Sequence, residues 1–280
     1  MRTERLESRC PLCDGEHATA AFDGETVRRC SACGFVWTRA DDHRTAPSAY
    51  DETFFSNGHY YTAYFTRAAQ WRHEALLRLR WLLTFARPQS LLEIGCGGGF
   101  FLEAAREAGI AVHGIEPAGD GADFARRNLG LDVTSGLFED VVPPGRFDTV
   151  CAFHVLEHVE DPDAFLAKAR EILPERGWLA LEVPNIESTR ARHDGSRWFN
   201  LVPEYHLWHF SPRTLTCIVE EGGFAPVSVD TVFPRYYFRA RRLFTRAGFT
   251  SALADWRSSP SPARSHPSAG DYLRLIAAAR

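Results

Sequence analysis

The stretch between residues 90 and 116 constrains this chain most. Ser90-Leu91-Leu92-Glu93-Ile94 is a short apolar run that enters Gly95-Cys96-Gly97-Gly98-Gly99. Phe100 to Ala108 then reads as a helix ended by Gly109, and Ala111-Val112-His113-Gly114-Ile115 is a second strand that finishes on Glu116. Strand, glycine turn, helix and strand in that order make a βαβ unit of a parallel sheet. The glycines let the backbone pass close to a ligand with no Cβ in the way. An acid about 20 positions beyond them is placed to accept hydrogen bonds from a ribose diol. Residues 85 to 185 are therefore read as a nucleotide-type cofactor site at the edge of a parallel β-sheet. A tight turn with a helix cap and nothing bound is the bland alternative.

The glycine spacing narrows the cofactor. Gly95, Gly97 and Gly99 put the third glycine one residue early for a dinucleotide fingerprint, and Phe100 fills the slot that close helix packing needs small. No Gly-Lys-Ser/Thr phosphate loop is present, which argues against ATP or GTP.

Further along, Gly130 to Val133, Phe147 to Ala152, Trp178 to Val183 and Phe224 to Val232 read as strands, with Tyr272 to Ala277 as a last one. Asp161 and Pro162 open a helix to Leu173, and Ser211 and Pro212 open another to Glu221 that Gly222 and Gly223 stop. Cys96 and Cys151 fall in or beside buried segments and are read as small apolar fillers. Ahead of the first strand, Tyr61 to Phe85 carries Trp71, Leu76, Leu79, Leu82 and Leu83 near a helical period, and Pro88 stops it. Tyr60, Tyr61 and Tyr64 fit a core less well, since a buried hydroxyl needs a partner, so a ligand cavity is the place expected for some of them.

Four of the seven cysteines lie in the first 33 residues. Cys10-x-x-Cys13 and Cys30-x-x-Cys33, followed by Gly34, are two knuckles that together complete a tetrahedral S4 shell for zinc. A redox pair and a pair of structural disulfides are the rival readings. An all-cysteine shell leaves no open coordination position, so the role expected of the metal is structural. Thr19 to Phe22 and Thr26 to Arg29 form a hairpin around Asp23-Gly24, in a module too small to fold without the metal. Phe35-Val36-Trp37 is placed to dock that module on the main domain.

The chain opens Met-Arg-Thr-Glu-Arg-Leu-Glu with no apolar run behind it, and no stretch of about 18 apolar residues follows. Neither a signal peptide nor a membrane span is expected, and the cytoplasmic reading is favoured. A formal charge of -4 offers no excess of cations for phosphate contact, so nucleic acid is not an expected partner.

Glu93-Ile94-Gly95-Cys96-Gly97-Gly98-Gly99 resembles the first motif of class I S-adenosylmethionine-dependent methyltransferases. The likeness continues through Glu116, Gly136-Leu137-Phe138-Glu139, Phe147-Asp148-Thr149-Val150, Phe153-His154-Val155-Leu156-Glu157-His158-Val159 and Leu179-Ala180-Leu181-Glu182-Val183-Pro184-Asn185. It covers residues 85 to 232 and is closest to small-molecule enzymes of the ubiquinone-biosynthesis and sugar-methylating kind, several of which are similar in carrying a zinc ribbon in front. The resemblance implies an α/β, Rossmann-like sheet of seven strands in the order 3-2-1-4-5-7-6 with the last strand antiparallel. It implies a zinc ribbon over 1–45, a linker and aromatic, helical cap over 46–88, and a methyltransferase domain over 89–280, with 186–212 and 233–269 as substrate-side lid or insert.

For the cofactor, the resemblance implies that Gly95, Gly97 and Gly99 frame the methionine and ribose, Glu93 lies near the amino group, and Glu116 holds the ribose hydroxyls. It puts Leu137 and Phe138 against adenine and Phe153 and His154 on the methyl-transfer side. Tyr60, Tyr64, Glu204, His206 and His209 are placed on the substrate side. A base near neutral pKa helps when the acceptor is a hydroxyl or an acidic carbon, and His158 is the candidate, with His154 shaping the channel. The two stand four apart, on one side of a helix if residues 154 to 158 begin one. The expected acceptor is a small molecule, a sugar nucleotide or a natural-product intermediate, and the expected assembly a monomer or homodimer. A binding or assembly protein that keeps the fold without catalysis, or a methyltransferase acting on a macromolecule, is the alternative.

Overall fold

A computed structural model describes residues 9–16, 18–22, 24–39, 55, 64–233 and 269–280. The front module consists of β1 (Ala18–Phe22), β2 (Gly24–Cys30) and β3 (Val36–Thr38). Helix α1 (Ala68–Phe85) starts later than the sequence period suggests, because a single 3-10 turn occupies Phe65–Arg67. The main domain then runs β4 (Ser90–Ile94), α2 (Phe100–Glu107), β5 (Ala111–Glu116), α3 (Gly119–Leu129), β6 (Val133–Ser135) and β7 (Thr149–Phe153). It continues with α4 (Pro162–Ile172), β8 (Trp178–Pro184), α5 (Thr189–Asp194), β9 (Trp208–His209), α6 (Pro212–Glu221), β10 (Phe224–Val232) and β11 (Tyr272–Ala279).

The central sheet has seven strands in the order β10-β11-β8-β7-β4-β5-β6. Its strands β6, β5, β4, β7 and β8 pair in parallel, and β11 enters antiparallel to both β8 and β10. This is the expected seven-strand order. Strand β6 lies further along than its expected position at 130–133, because Gly130, at φ +62°, is used to terminate α3. The caps fall where the sequence puts them. Asp161 accepts from the backbone amides of Asp163 and Ala164, and Ser211 accepts from that of Thr214 with Pro212 in the first turn.

The front module is not an appendage. Its strand β3 pairs antiparallel with β9 of the main domain, Val36 opposite His209 and Trp37 opposite Trp208, which gives a second sheet in the order β1-β2-β3-β9. Phe35 and Trp37, expected as docking aromatics, are buried and stacked, and Phe35 lies 5.9 Å from the Trp208 ring. Cys10, Cys30, Phe35, Trp37 and Trp208 share one apolar core with Leu92, Ile94 and Leu181 of the central sheet. Residues 234–268, which hold most of the second lid segment, lie outside the described residues, as does Tyr60.

Gly99 joins loop to helix at φ +79°, and a Cβ there would stand 2.5 Å from Leu131 Cδ1 and 3.0 Å from Ala125 Cβ. A left-handed backbone costs an L-residue roughly 1–2 kcal/mol and overpacking about 1–3 kcal/mol. Gly99→Ala should therefore lower unfolding free energy by about 2 kcal/mol or more, read as a shifted urea midpoint at unchanged slope.

Candidate functional site

The carboxyl ends of β4, β5, β7 and β8 open into one cavity of about 880 Å³, lined by Glu93, Gly95, Gly97, Glu116, Leu137, Phe138, Phe153, His154, His158 and His206 among others. At one end stands the glycine loop. Glu116 is only 3% exposed, and its carboxylate accepts from the backbone amides of Gly97 at 2.6 Å and Ala118 at 2.9 Å. Burial pushes its pKa up to about 7 in spite of those two amides. Glu93 is buried beside it. One of its carboxylate oxygens has no hydrogen-bond partner, and burial raises its pKa well above the usual range. Two buried acids, one with an orphaned oxygen, seek a cation or hydrogen-bond donors inside the cavity.

Tyr64, expected on the substrate side, lines the cavity and stands over the glycine loop. Its hydroxyl accepts from the Gly98 amide at 3.2 Å, and a Cβ on Gly97 would come within 2.9 Å of that oxygen. Phe55 and Tyr64 stack at 4.5 Å between centroids, so aromatic side chains ahead of α1 roof this end. Past the loop after β6, the Phe138 ring packs on Phe165, and the Lys168 ammonium donates to the Phe138, Glu139 and Val141 carbonyls. That one cation holds the turn which presents Leu137 and Phe138 to the cavity.

The far end of the cavity carries the histidines. Residues 154 to 158 form a turn and not the start of a helix. His154 takes φ +58° at the end of β7, while its backbone amide donates to the Glu182 carbonyl at 2.7 Å. Its ring lies between two carboxylates, Glu157 at 3.3 Å and Glu182 at 3.1 Å. Burial opposes the charge on that ring, but the bonds to Glu157 and Glu182 prevail and raise its pKa. Both ring nitrogens of His154 thus face a carboxylate, and the ring lines the cavity wall.

His158 differs. Its Nδ1 lies 2.8 Å from the Tyr205 carbonyl, which can only accept, so Nδ1 carries the proton and Nε2 is the basic nitrogen of the neutral ring. His206 packs edge-on against it at 4.7 Å and donates from Nδ1 to the Asn200 carbonyl. Burial, then the neighbouring His158 and His209, push the His206 pKa well down, so this ring stays neutral. Glu157, His158 and His206 bring ligand atoms within 4.8 Å of one another, a donor set that a divalent cation accepts.

Two expected substrate-side residues lie elsewhere. Glu204 is exposed in the turn at 203–205 and stays outside the cavity wall, while its neighbour Tyr205 lines it. His209 is buried in β9 beneath the front module, with Nε2 3.0 Å from the Thr38 hydroxyl, and burial pulls its pKa down to about 3. In their place the structure brings in Arg78, Glu182 and Arg274. The Glu182 carboxylate takes Arg78 and Arg274 at 2.5 Å each, besides His154. A buried acid or arginine inside an otherwise apolar strand, as in Leu179-Ala180-Leu181-Glu182-Val183 and Tyr272-Leu273-Arg274-Leu275, is the sequence signal that would have found this cluster.

In the front module, Cys10 Sγ lies 3.5 Å from Cys33 Sγ, and Cys13 Sγ lies 3.6 Å from Cys30 Sγ. Sulfurs in a disulfide stand about 2.05 Å apart. The edge of a tetrahedron with Zn–S near 2.3 Å is about 3.8 Å. All four sulfurs fall in one group of ligand atoms, so their spacing fits a metal shell and not two disulfides.

The sequence matches, over residues 61–229, the family described as a methyltransferase domain. It is 34% identical over 118 residues to the ubiquinone biosynthesis O-methyltransferase of Thiobacillus denitrificans, covering 39% of this chain and 51% of that one. To the ubiquinone biosynthesis O-methyltransferase of Cereibacter sphaeroides it is 32% identical over 149 residues, covering 49% and 60%. The chain thus spans between half and three fifths of the length of these curated relatives. In fold it is similar to an S-adenosylmethionine-dependent methyltransferase of Thermotoga maritima, described as a possible histamine N-methyltransferase. The TM-score is 0.57 at 21% identity, over 79% of this chain and 96% of that one. No helix among the described residues is long and apolar enough to cross a membrane.

Glu116 sets a pH dependence whose sign is fixed. Its pKa rises from 4.5 to about 7 on folding, so between those values the folded state binds more protons and loses stability as pH rises. Glu116→Gln should shrink the fall in unfolding free energy between about pH 5 and pH 8 by about 3 kcal/mol. Denaturant titrations at both ends of that range give the comparison, and an unchanged fall in the variant rejects the assignment.

Proposed function

Because the chain belongs to the methyltransferase-domain family, we propose that it moves a methyl group from S-adenosylmethionine to a hydroxyl of a small-molecule acceptor. The carrying observation is the division of one cavity into an end with buried acids on a glycine loop and an end walled by His154, His158 and His206. When bound, the cofactor supplies an electrophilic methyl on a sulfonium. Glu116 is suited to hold a ribose diol, since its carboxylate already accepts hydrogen bonds and is shielded from water. Glu93, with an orphaned oxygen, suits the ammonium of the methionine part. Leu137 and Phe138 offer apolar faces for adenine.

At the other end, His158 takes the proton from the acceptor hydroxyl at Nε2, while the Tyr205 carbonyl fixes the tautomer through Nδ1. Phe153, His154 and His206 wall the space in which nucleophile and methyl line up, and exclude bulk water from it. The O-methyltransferase relatives favour oxygen over carbon as the acceptor atom. Cys10, Cys13, Cys30 and Cys33 would hold a structural zinc ion, a reading supported by the sulfur spacing.

Calorimetry with S-adenosylhomocysteine tests the cofactor half: binding in the micromolar range is expected, and no heat at millimolar ligand would leave a fold without the activity. For the base, His158→Ala should slow turnover at least tenfold, on an acceptor the wild type methylates, while S-adenosylhomocysteine affinity stays within a few-fold. Equal turnover in that variant removes His158 from the role.

A further inference from the structure

The described residues of the front module stay out of the cavity wall, yet one of them holds it up. Thr38, fully buried at the end of β3, donates its backbone amide to the Leu207 carbonyl at 2.8 Å. Its hydroxyl donates to the His206 carbonyl at 2.7 Å, so its oxygen accepts from His209 Nε2 at 3.0 Å. From the opposite side, the amides of Leu207 and Trp208 donate to the Glu157 carbonyl at 2.8 and 3.3 Å, and the Trp208 indole donates to the Val159 carbonyl at 2.7 Å. Tyr205, two residues before Leu207, supplies the carbonyl that sets the His158 tautomer. Residues 205–208 are therefore strung between β3 and the turn at 157–159, with both imidazoles hung from that segment.

The support is only as firm as the module beneath it. The module's three strands are short, and Cys10 and Cys30 pack in the same apolar cluster as Phe35 and Trp208. Four thiols without an ion at their centre leave that cluster with no cross-link. The glycine loop rests on other bonds: its amides donate to the Ile115 carbonyl, to Glu116 and to Tyr64.

We propose that Thr38 is a positioning residue for the histidine wall, and that metal occupancy of the four-cysteine shell sets the order of the acceptor half of the cavity without touching the cofactor half. The functional labels of the two halves rest on the reading under Proposed function. The structural coupling does not, and the test reads it directly.

Amide hydrogen exchange by mass spectrometry is measured on the full chain in four states: zinc-loaded with metal content quantified, chelator-stripped, Thr38→Val and Thr38→Ser. Exchange across residues 202–209 and 155–159 is expected to speed up at least tenfold in the stripped protein and in Thr38→Val. Residues 90–107 should keep their protection, and S-adenosylhomocysteine affinity should stay within twofold. Thr38→Ser, which keeps the hydroxyl, should restore wild-type exchange. Unchanged protection at 202–209 after the module's own strands have lost theirs overturns the proposal. So does an equal loss at 90–107, which would make the module a prop for the whole fold. Protein that purifies without metal and takes up no added zinc overturns the metal half of the proposal, and the two Thr38 variants decide the other half. If the wild type binds no S-adenosylhomocysteine, the cofactor reading falls while the exchange result still decides the coupling.

Discussion

The carboxylate of Glu182 is the charge around which the cavity is arranged. It sits near the carboxyl end of β8, 1% exposed, where burial would raise its pKa; Arg274 and then Arg78, with His154 behind them, hold it well down. These partners come from β11, α1 and the end of β7, so one anion ties four elements that are remote in sequence. Removing one member of such a buried cluster costs about 3–5 kcal/mol, because the remaining charges are left uncompensated. The cluster also explains why His154 accepts a left-handed backbone: its ring and its amide are both engaged by Glu182. Strain at the mouth of a site persists where neighbouring contacts over-determine it.

The second constraint is the size of the front module. Three short strands and two cysteine knuckles bury little surface by themselves, and the structure meets this by giving the sheet a fourth strand from the main domain. Because β9 pairs with β3 while Leu207 and Trp208 donate to the Glu157 and Val159 carbonyls, the segment before it is no longer a free loop. That arrangement gives His209 a role that its neighbourhood to His206 conceals. It is neutral, buried, and bonded to Thr38, and it contributes to the joint between the two sheets.

How much of this was legible follows from where each contact is made. The glycine loop, the acid ending β5, the caps at Asp161 and Ser211 and the strand order were readable, because period, turn chemistry and capping are written in neighbouring residues. The surroundings of Tyr64, Glu204 and His209 were not legible, because sequence proximity to a motif does not say which way a turn faces. Thr38 gave no sign at all: a threonine at a strand end is unremarkable until the carbonyl of His206, 168 residues away, is brought to it. The partners of Glu182 were legible in part, since Glu182 and Arg274 interrupt apolar strands, but their pairing depends on β11 entering beside β8.

The same distinction separates the two halves of the cavity. The glycine-loop end takes its frame from the unit of β4, α2 and β5, with Phe55 and Tyr64 over it and Phe138 held beside it through Lys168. The histidine end is assembled from the turn after β7, the approach to β9 and, through Thr38, the front module. A change in the front module therefore reaches His206 and His158 through the hydrogen bonds of residues 205–208, whereas the glycine loop's amides donate to Glu116, Tyr64 and the Ile115 carbonyl. Residues 205–208 are thus tied to β3 of the front module as well as to the turn after β7.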